Sequence, residues 1–204
     1  MKLKQVLLGT MLVASLSAAS AAQKHYEAFT LDYNDDTVLG DPSFSFGGGG
    51  GPTGFGWSLS TSIQVSSPGD TNPVVRNFIL PSFTITAKPG WALSGDLNSF
   101  LGNLSFTEFG EASTSASASA QVSIDGGTPI AAGGELDKTS VLDGPLLRSG
   151  YFSGRASTAS GGFSVLTVSN ASLTLQAQDG TAVVFGQPQN ILEFSFTAAA
   201  VPEP

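Results

Sequence analysis

The chain has no cysteine, one histidine (His25) and few charges, 12% of its 204 residues against roughly 25% in an average soluble domain. Without cysteine there is no disulfide framework, no thiolate metal site and no cysteine nucleophile. One histidine argues against His-rich metal centres and Ser/His/Asp catalysis, and His25 lies close to the N-terminus, where a solvated side chain is expected. Basic residues are the scarcer sign: 8 Lys+Arg stand against 16 Asp+Glu, a formal net charge of −8. An acidic surface repels phosphate backbones, so nucleic acid is not an expected partner. Neither G-x-S-x-G nor H-E-x-x-H occurs, and no enzyme is expected.

What is present is apolar mass and turn chemistry. Hydrophobic residues make up 41% of the chain, with 14 Phe, 25 Gly and 11 Pro. That suffices for one domain with a sizeable core, closed by packing and strand pairing alone.

Residues 1–22 read as a secretory signal peptide. Lys2 and Lys4 supply a positive start, and Val6 to Ala14 is an apolar run too short to span a bilayer. Ala19-Ser20-Ala21, or Ser20-Ala21-Ala22 one residue later, places small residues where signal peptidase needs them. Ala19, Ala21 and Ala22 are therefore the cleavage candidates, with signal peptidase a transient partner.

The body, residues 23–198, is patterned with a period of two. Trp57, Leu59, Thr61, Ile63 and Val65 alternate with Ser58, Ser60, Ser62, Gln64 and Ser66. Ala112, Thr114, Ala116, Ala118, Ala120, Val122 and Ile124 alternate with Ser and Gln until Asp125-Gly126-Gly127 turns the chain. On a helix this stripe would scatter around the axis; on a strand it stays on one face. Further alternation spans residues 82–87, 171–178 and 191–197. The expectation is an all-β, antiparallel two-sheet sandwich of jelly-roll type with about nine to eleven strands. The first strand is expected over Tyr26 to Leu31, the Gly47–Gly51 run as a flexible loop, and Thr128 to Gly150 as a long connection with one short edge strand.

Three constellations carry candidate chemistry. Asp32, Asn34 and Asp36 have the alternate spacing that lets oxygens converge on calcium, with Asp41 nearby, though the glycine and glutamate of an EF-hand loop are missing. A polar turn is the competing reading, and any calcium here is expected to be structural. Trp91 and Tyr151 are candidates for stacking on sugar rings, because a flat apolar face covers the C–H side of a pyranose; Trp57 is expected in the core. Glu108, Glu111, Glu135 and Glu193 are expected as solvated surface charges, and a hydrolase would need two carboxylates meeting in one cleft.

The final residues, Ala198-Ala199-Ala200-Val201-Pro202-Glu203-Pro204, bear a resemblance. A Val-Pro-Glu-Pro after an export signal and a cysteine-free, Ser/Thr-rich β body resembles the PEP-CTERM family of bacterial surface proteins. Gly90 to Gly95 and Val184 to Asn190 are weaker points of likeness. In that family Pro-Glu-Pro opens a sorting signal, followed by a hydrophobic helix and basic residues, which a membrane protease called exosortase processes. The resemblance implies that Val201, Pro202, Glu203 and Pro204 are the start of that signal, with 199–204 an Ala/Pro linker. It implies exosortase as a partner and a surface location in exopolysaccharide- or biofilm-forming bacteria. The helix and basic tail are not in this sequence, so the membrane is expected to be met only during export or through a missing helix. The expected function is an exported, non-enzymatic surface or extracellular-matrix protein without a cofactor. The alternatives are a carbohydrate-binding sandwich and a secreted polysaccharide hydrolase.

Overall fold

The computed structural model describes residues 21–35, 37–46, 52–68, 72–143, 146–159, 161–187 and 190–201. The expected leader up to residue 20, including Ala19, lies outside the described residues, as do Asp36, the Gly47–Gly51 run, Pro202, Glu203 and Pro204.

Among the described residues there is no helix, and the strands follow one another along the chain. They are β1 (Ala21–His25), β2 (Phe29–Asn34), β3 (Ser43–Phe46), β4 (Pro52–Ser58) and β5 (Ile63–Pro68). Next come β6 (Val74–Ile79), β7 (Phe83–Ala87), β8 (Trp91–Phe109), β9 (Ser113–Ile124) and β10 (Ile130–Glu135). The last are β11 (Asp137–Asp143), β12 (Leu147–Ala159), β13 (Val165–Gln178), β14 (Thr181–Gly186) and β15 (Asn190–Ala200). One sheet of seven strands runs β1-β2-β7-β13-β9-β10, with β6 also on β13. The other, of eight, runs β11-β12-β8-β15-β4-β3, with β14 between β8 and β5. Every pairing is antiparallel, and the sheets pack face to face as a β-sandwich.

The alternation seen in the sequence fills the space between them. On β13, Leu166, Val168, Ala171, Leu173, Leu175 and Ala177 are buried, and a register shift after Ser169 keeps the pattern inward across a break in parity. Phe55 of one sheet sits 5.9 Å from Phe29 and 5.5 Å from Phe83 of the other, measured between ring centroids. Trp57, expected in the core, is fully buried 5.3 Å from Phe55. Each such ring removed from water contributes about 1.5–3 kcal/mol, and edge-on contacts add to it.

The expected turns are present. Asp125 and Gly126 both take positive φ, 47° and 73°, the conformation this Asp-Gly pair tolerates best. Asp125 Oδ1 also accepts the backbone N–H groups of Ser164 and Val165, at 2.9 and 2.8 Å, tying the turn to the start of β13.

Strand bounds and faces differ in places from those expected. Strands begin earlier than Tyr26: residues 26–28 are a turn, closed by the Tyr26 N–H on the Phe29 carbonyl, between β1 and β2. Ala21 and Ala22, at the expected cleavage site, are the first rungs of β1, opposite Asn34 and Tyr33. The connection expected over Thr128 to Gly150 holds two edge strands, β10 and β11, and begins β12. Only Leu136 separates β10 from β11, so the chain passes from the edge of one sheet to the edge of the other at that residue. Glycine and charge hid these strands because each pairs on one side only and faces solvent. Ile191, placed on the polar face of its strand by strict alternation, is fully buried, because a register shift between Asn190 and Leu192 breaks the period.

Candidate functional site

Glu108 is not the expected solvated surface charge but is 1% exposed, on the inward face of β8 after Leu104 and Phe106. Its Oε1 accepts the backbone N–H and the hydroxyl of Thr114, at 2.5 and 2.8 Å, and an ion pair from Lys138. Arg148 Nε lies 3.5 Å from Oε2. The Lys138 ammonium also rests over the Phe106 ring, 4.5 Å from its centroid. A buried carboxylate held by two cations and two donors is a structural node joining β8, β9, β11 and β12. Glu193 lies on the opposite face of the same sheet, so these two carboxylates do not flank one cleft. Glu111 and Glu135 are exposed.

The described members of the calcium spacing are engaged in hydrogen bonds. Asn34 Oδ1 accepts the Ser82 N–H at 2.6 Å, and Asp32 Oδ1 accepts from the Gln23 amide at 2.5 Å. Asp41 takes the Tyr33 hydroxyl at 3.1 Å and stands 4.0 Å from the Lys24 ammonium. Among the described residues no group of three acidic or histidine side chains converges in metal-binding geometry.

The two aromatic candidates separate. Trp91 opens β8, half-buried against the core and paired with Ala200. Tyr151 is 50% exposed on β12, opposite Ser105 near the far end of β8. Ser105 is fourteen positions beyond Trp91 on β8, about 35 Å once the bulged residues near Gly95 and Asn103 are discounted, so Trp91 and Tyr151 do not share a site.

Tyr151 has a different companion. Ser105 is flanked by Tyr151 of β12 on one side and by Phe185 of β14 on the other. Two strand spacings put these aromatics about 10 Å apart. Between them Ser105, Thr107, Ser149 and Gly150 floor a trough of about 190 Å³. Flat rings over a hydroxyl-lined floor can hold a ring that is apolar on its face and polar at its rim.

A second, larger depression of about 480 Å³ lies further along the same outward face. Its centre is Phe100, with Arg155 of β12 and Glu193 of β15 directly opposite it on either side. The Arg155 guanidinium lies 5.3 Å from the Phe100 ring centroid. Ser157, Asn98 and Ser195 form the adjoining row. Sequence reasoning missed Phe100 and Phe185 because each neighbours a buried apolar residue, Leu101 and Val184. With apolar residues on both faces, period-two reading assigns no outward aromatic.

Val201, the first residue of the expected sorting motif, follows β15 directly, is 50% exposed and donates its N–H to the Gly90 carbonyl. Comparison with protein-family models and with curated proteins found no match to this chain.

Proposed function

We propose that this chain is an exported, non-enzymatic protein of the bacterial surface or extracellular matrix, delivered by its leader and sorted through Val201 to Pro204 by an exosortase-type system. The observation that carries this reading is the position of the motif. β15 ends at Ala200 and Val201 is half exposed, so the motif starts at the end of β15, with the Val201 N–H still held by the Gly90 carbonyl. The hydroxyl-rich outward faces support it as well, since Ser and Thr solvate the sheets without attracting counter-charged partners. The test is fractionation of an exosortase-bearing bacterium expressing the gene product with an internal epitope. A processed form at the surface or in the medium, lost on exosortase deletion or Glu203→Ala, supports the reading. Retention in the cytoplasm, or export unaffected by both changes, overturns it.

A second reading, a carbohydrate-binding sandwich, is favoured by one specific observation: Tyr151 and Phe185 flank a hydroxyl-lined trough in register on one face. Binding to immobilised polysaccharide that falls in Tyr151→Ala supports it, and absence of binding to any glycan removes it.

A further inference from the structure

The two depressions on the eight-stranded sheet share one feature that strand parity alone would forbid. Phe100 and Ser105 are five residues apart on β8, so in a regular strand they would face opposite sides. A register shift between Phe152 and Gly154 on β12 inserts an extra residue in β8 between Leu101 and Leu104, and Asn103 there takes a φ of 59°. Leu101, Leu104 and Phe106 all stay buried, and Phe100 and Ser105 both face outward. The irregularity brings the Phe100 groove and the Tyr151–Phe185 trough onto one surface.

Gly102 sets how the first aromatic lies. A Cβ at that position would overlap the Phe100 ring, so the ring is laid along the sheet over Gly102, in the direction of the trough. From Gly102 to Ser105 is three residues, about 10 Å. The two sites are thus in line along β8, with β12 as one bank and β15 followed by β14 as the other.

We infer that this surface is a track for one linear, uncharged polysaccharide chain, with the Phe100 groove and the Tyr151–Phe185 trough as successive contact sites; the inference rests on the carbohydrate-binding reading. The polar groups match sugar hydroxyls, which both donate and accept: Arg155 only donates, Glu193 only accepts, and the serines do both. The charge balance selects an uncharged chain. The groove itself pairs one positive with one negative side chain, and the protein carries a net charge of −8, which repels a polyanionic glycan. The spacing of the sites selects a chain over a single sugar, because one ring cannot touch both.

Calorimetric titration with cello-, xylo- and manno-oligosaccharides of two to six residues, and with polygalacturonate as the acidic probe, tests this. Affinity for one neutral series should rise with chain length, and Phe100→Ala and Tyr151→Ala should each weaken the longest member about tenfold, the worth of one aromatic contact. Glu193→Gln, a near-isosteric change at the same groove, should weaken it too, and serves if Phe100→Ala perturbs folding. Affinity independent of length, or sensitive to Tyr151 but not to Phe100 and Glu193, overturns the track and leaves the carbohydrate-binding reading standing. Binding confined to polygalacturonate overturns the uncharged assignment. Binding to none of these glycans overturns both.

Discussion

The Glu108 carboxylate, on the eight-stranded sheet, accepts both the N–H and the hydroxyl of Thr114 on the seven-stranded sheet, at 2.5 and 2.8 Å. These residues bracket the turn by which the chain leaves one sheet and enters the other. The carboxylate thus fixes the crossover at its exit and its entry, while Lys138 and Arg148 balance its charge from β11 and β12.

Removing that carboxylate leaves two cations without their partner. Glu108→Ala should lower the unfolding free energy by about 3 kcal/mol, the low end for one member of a buried pair. The low end applies because the Lys138 and Arg148 side chains keep 32% and 44% of their surface. Urea unfolding reads this as a lower midpoint at unchanged slope. Glu108→Gln should recover part of it through Thr114; an effect under half a kcal/mol for Glu108→Ala would contradict the node.

Alkaline pH addresses Tyr33. Burial first, then its hydrogen bond to Asp41, pushes this phenol up to about 12 from 10.0. The raised value favours the protonated form in the fold, so its contribution is whole below pH 10 and is lost as pH rises through about 12. Tyr33→Phe should flatten the decline of stability across that window. It should also lower stability by about 1 kcal/mol at neutral pH, where the hydrogen bond to Asp41 is lost. Equal slopes for the two proteins between pH 10 and 12 would refute the assignment.

Gly150 tests the edge of the eight-stranded sheet. It pairs with Ser140 of β11, and a Cβ there would overlap the Thr139 carbonyl, a backbone atom with no rotamer to adopt. Gly150→Ala should destabilise by about 1–3 kcal/mol, as overpacking does. Hydrogen exchange should speed up first at Asp137–Asp143, while β9 and β13 keep their protection. Uniform loss across both sheets would place the strain elsewhere.

Calcium should do little. The Asn34 and Asp32 oxygens already accept hydrogen bonds from Ser82 and Gln23, and cation binding would have to displace them. Thermal melts in excess calcium and in chelator should coincide. A midpoint raised by calcium and restored by chelator would mean that these oxygens rearrange to bind it.

How far the sequence reaches is visible residue by residue. Ser-Ala alternation on β9 and Leu-Thr-Leu-Gln on β13 were legible as strands because one face is wet and the other dry. Asp125-Gly126 was legible because few pairs accept two positive φ angles in succession. β10 and β11 were not, because an edge strand facing water has no burial to impress a period on its residues. Tyr151 was legible as an exposed aromatic; Phe185 and Phe100 were not, each hidden beside an inward apolar neighbour.

Composition and period by themselves determined an all-β, cysteine-free, acidic sandwich, since local alternation and turn chemistry are properties of adjacent residues. The tertiary structure decided what distant residues do together. It drew Glu108 inward, because Thr114, Lys138 and Arg148 converge on it from three other strands. It turned Phe100 and Ser105 to the same face, because one extra residue in β8 reverses the parity that the sequence implies. The few charges counted along the chain matter by where packing put them: one carboxylate buried as a clasp, and one Arg–Glu pair set either side of an aromatic ring.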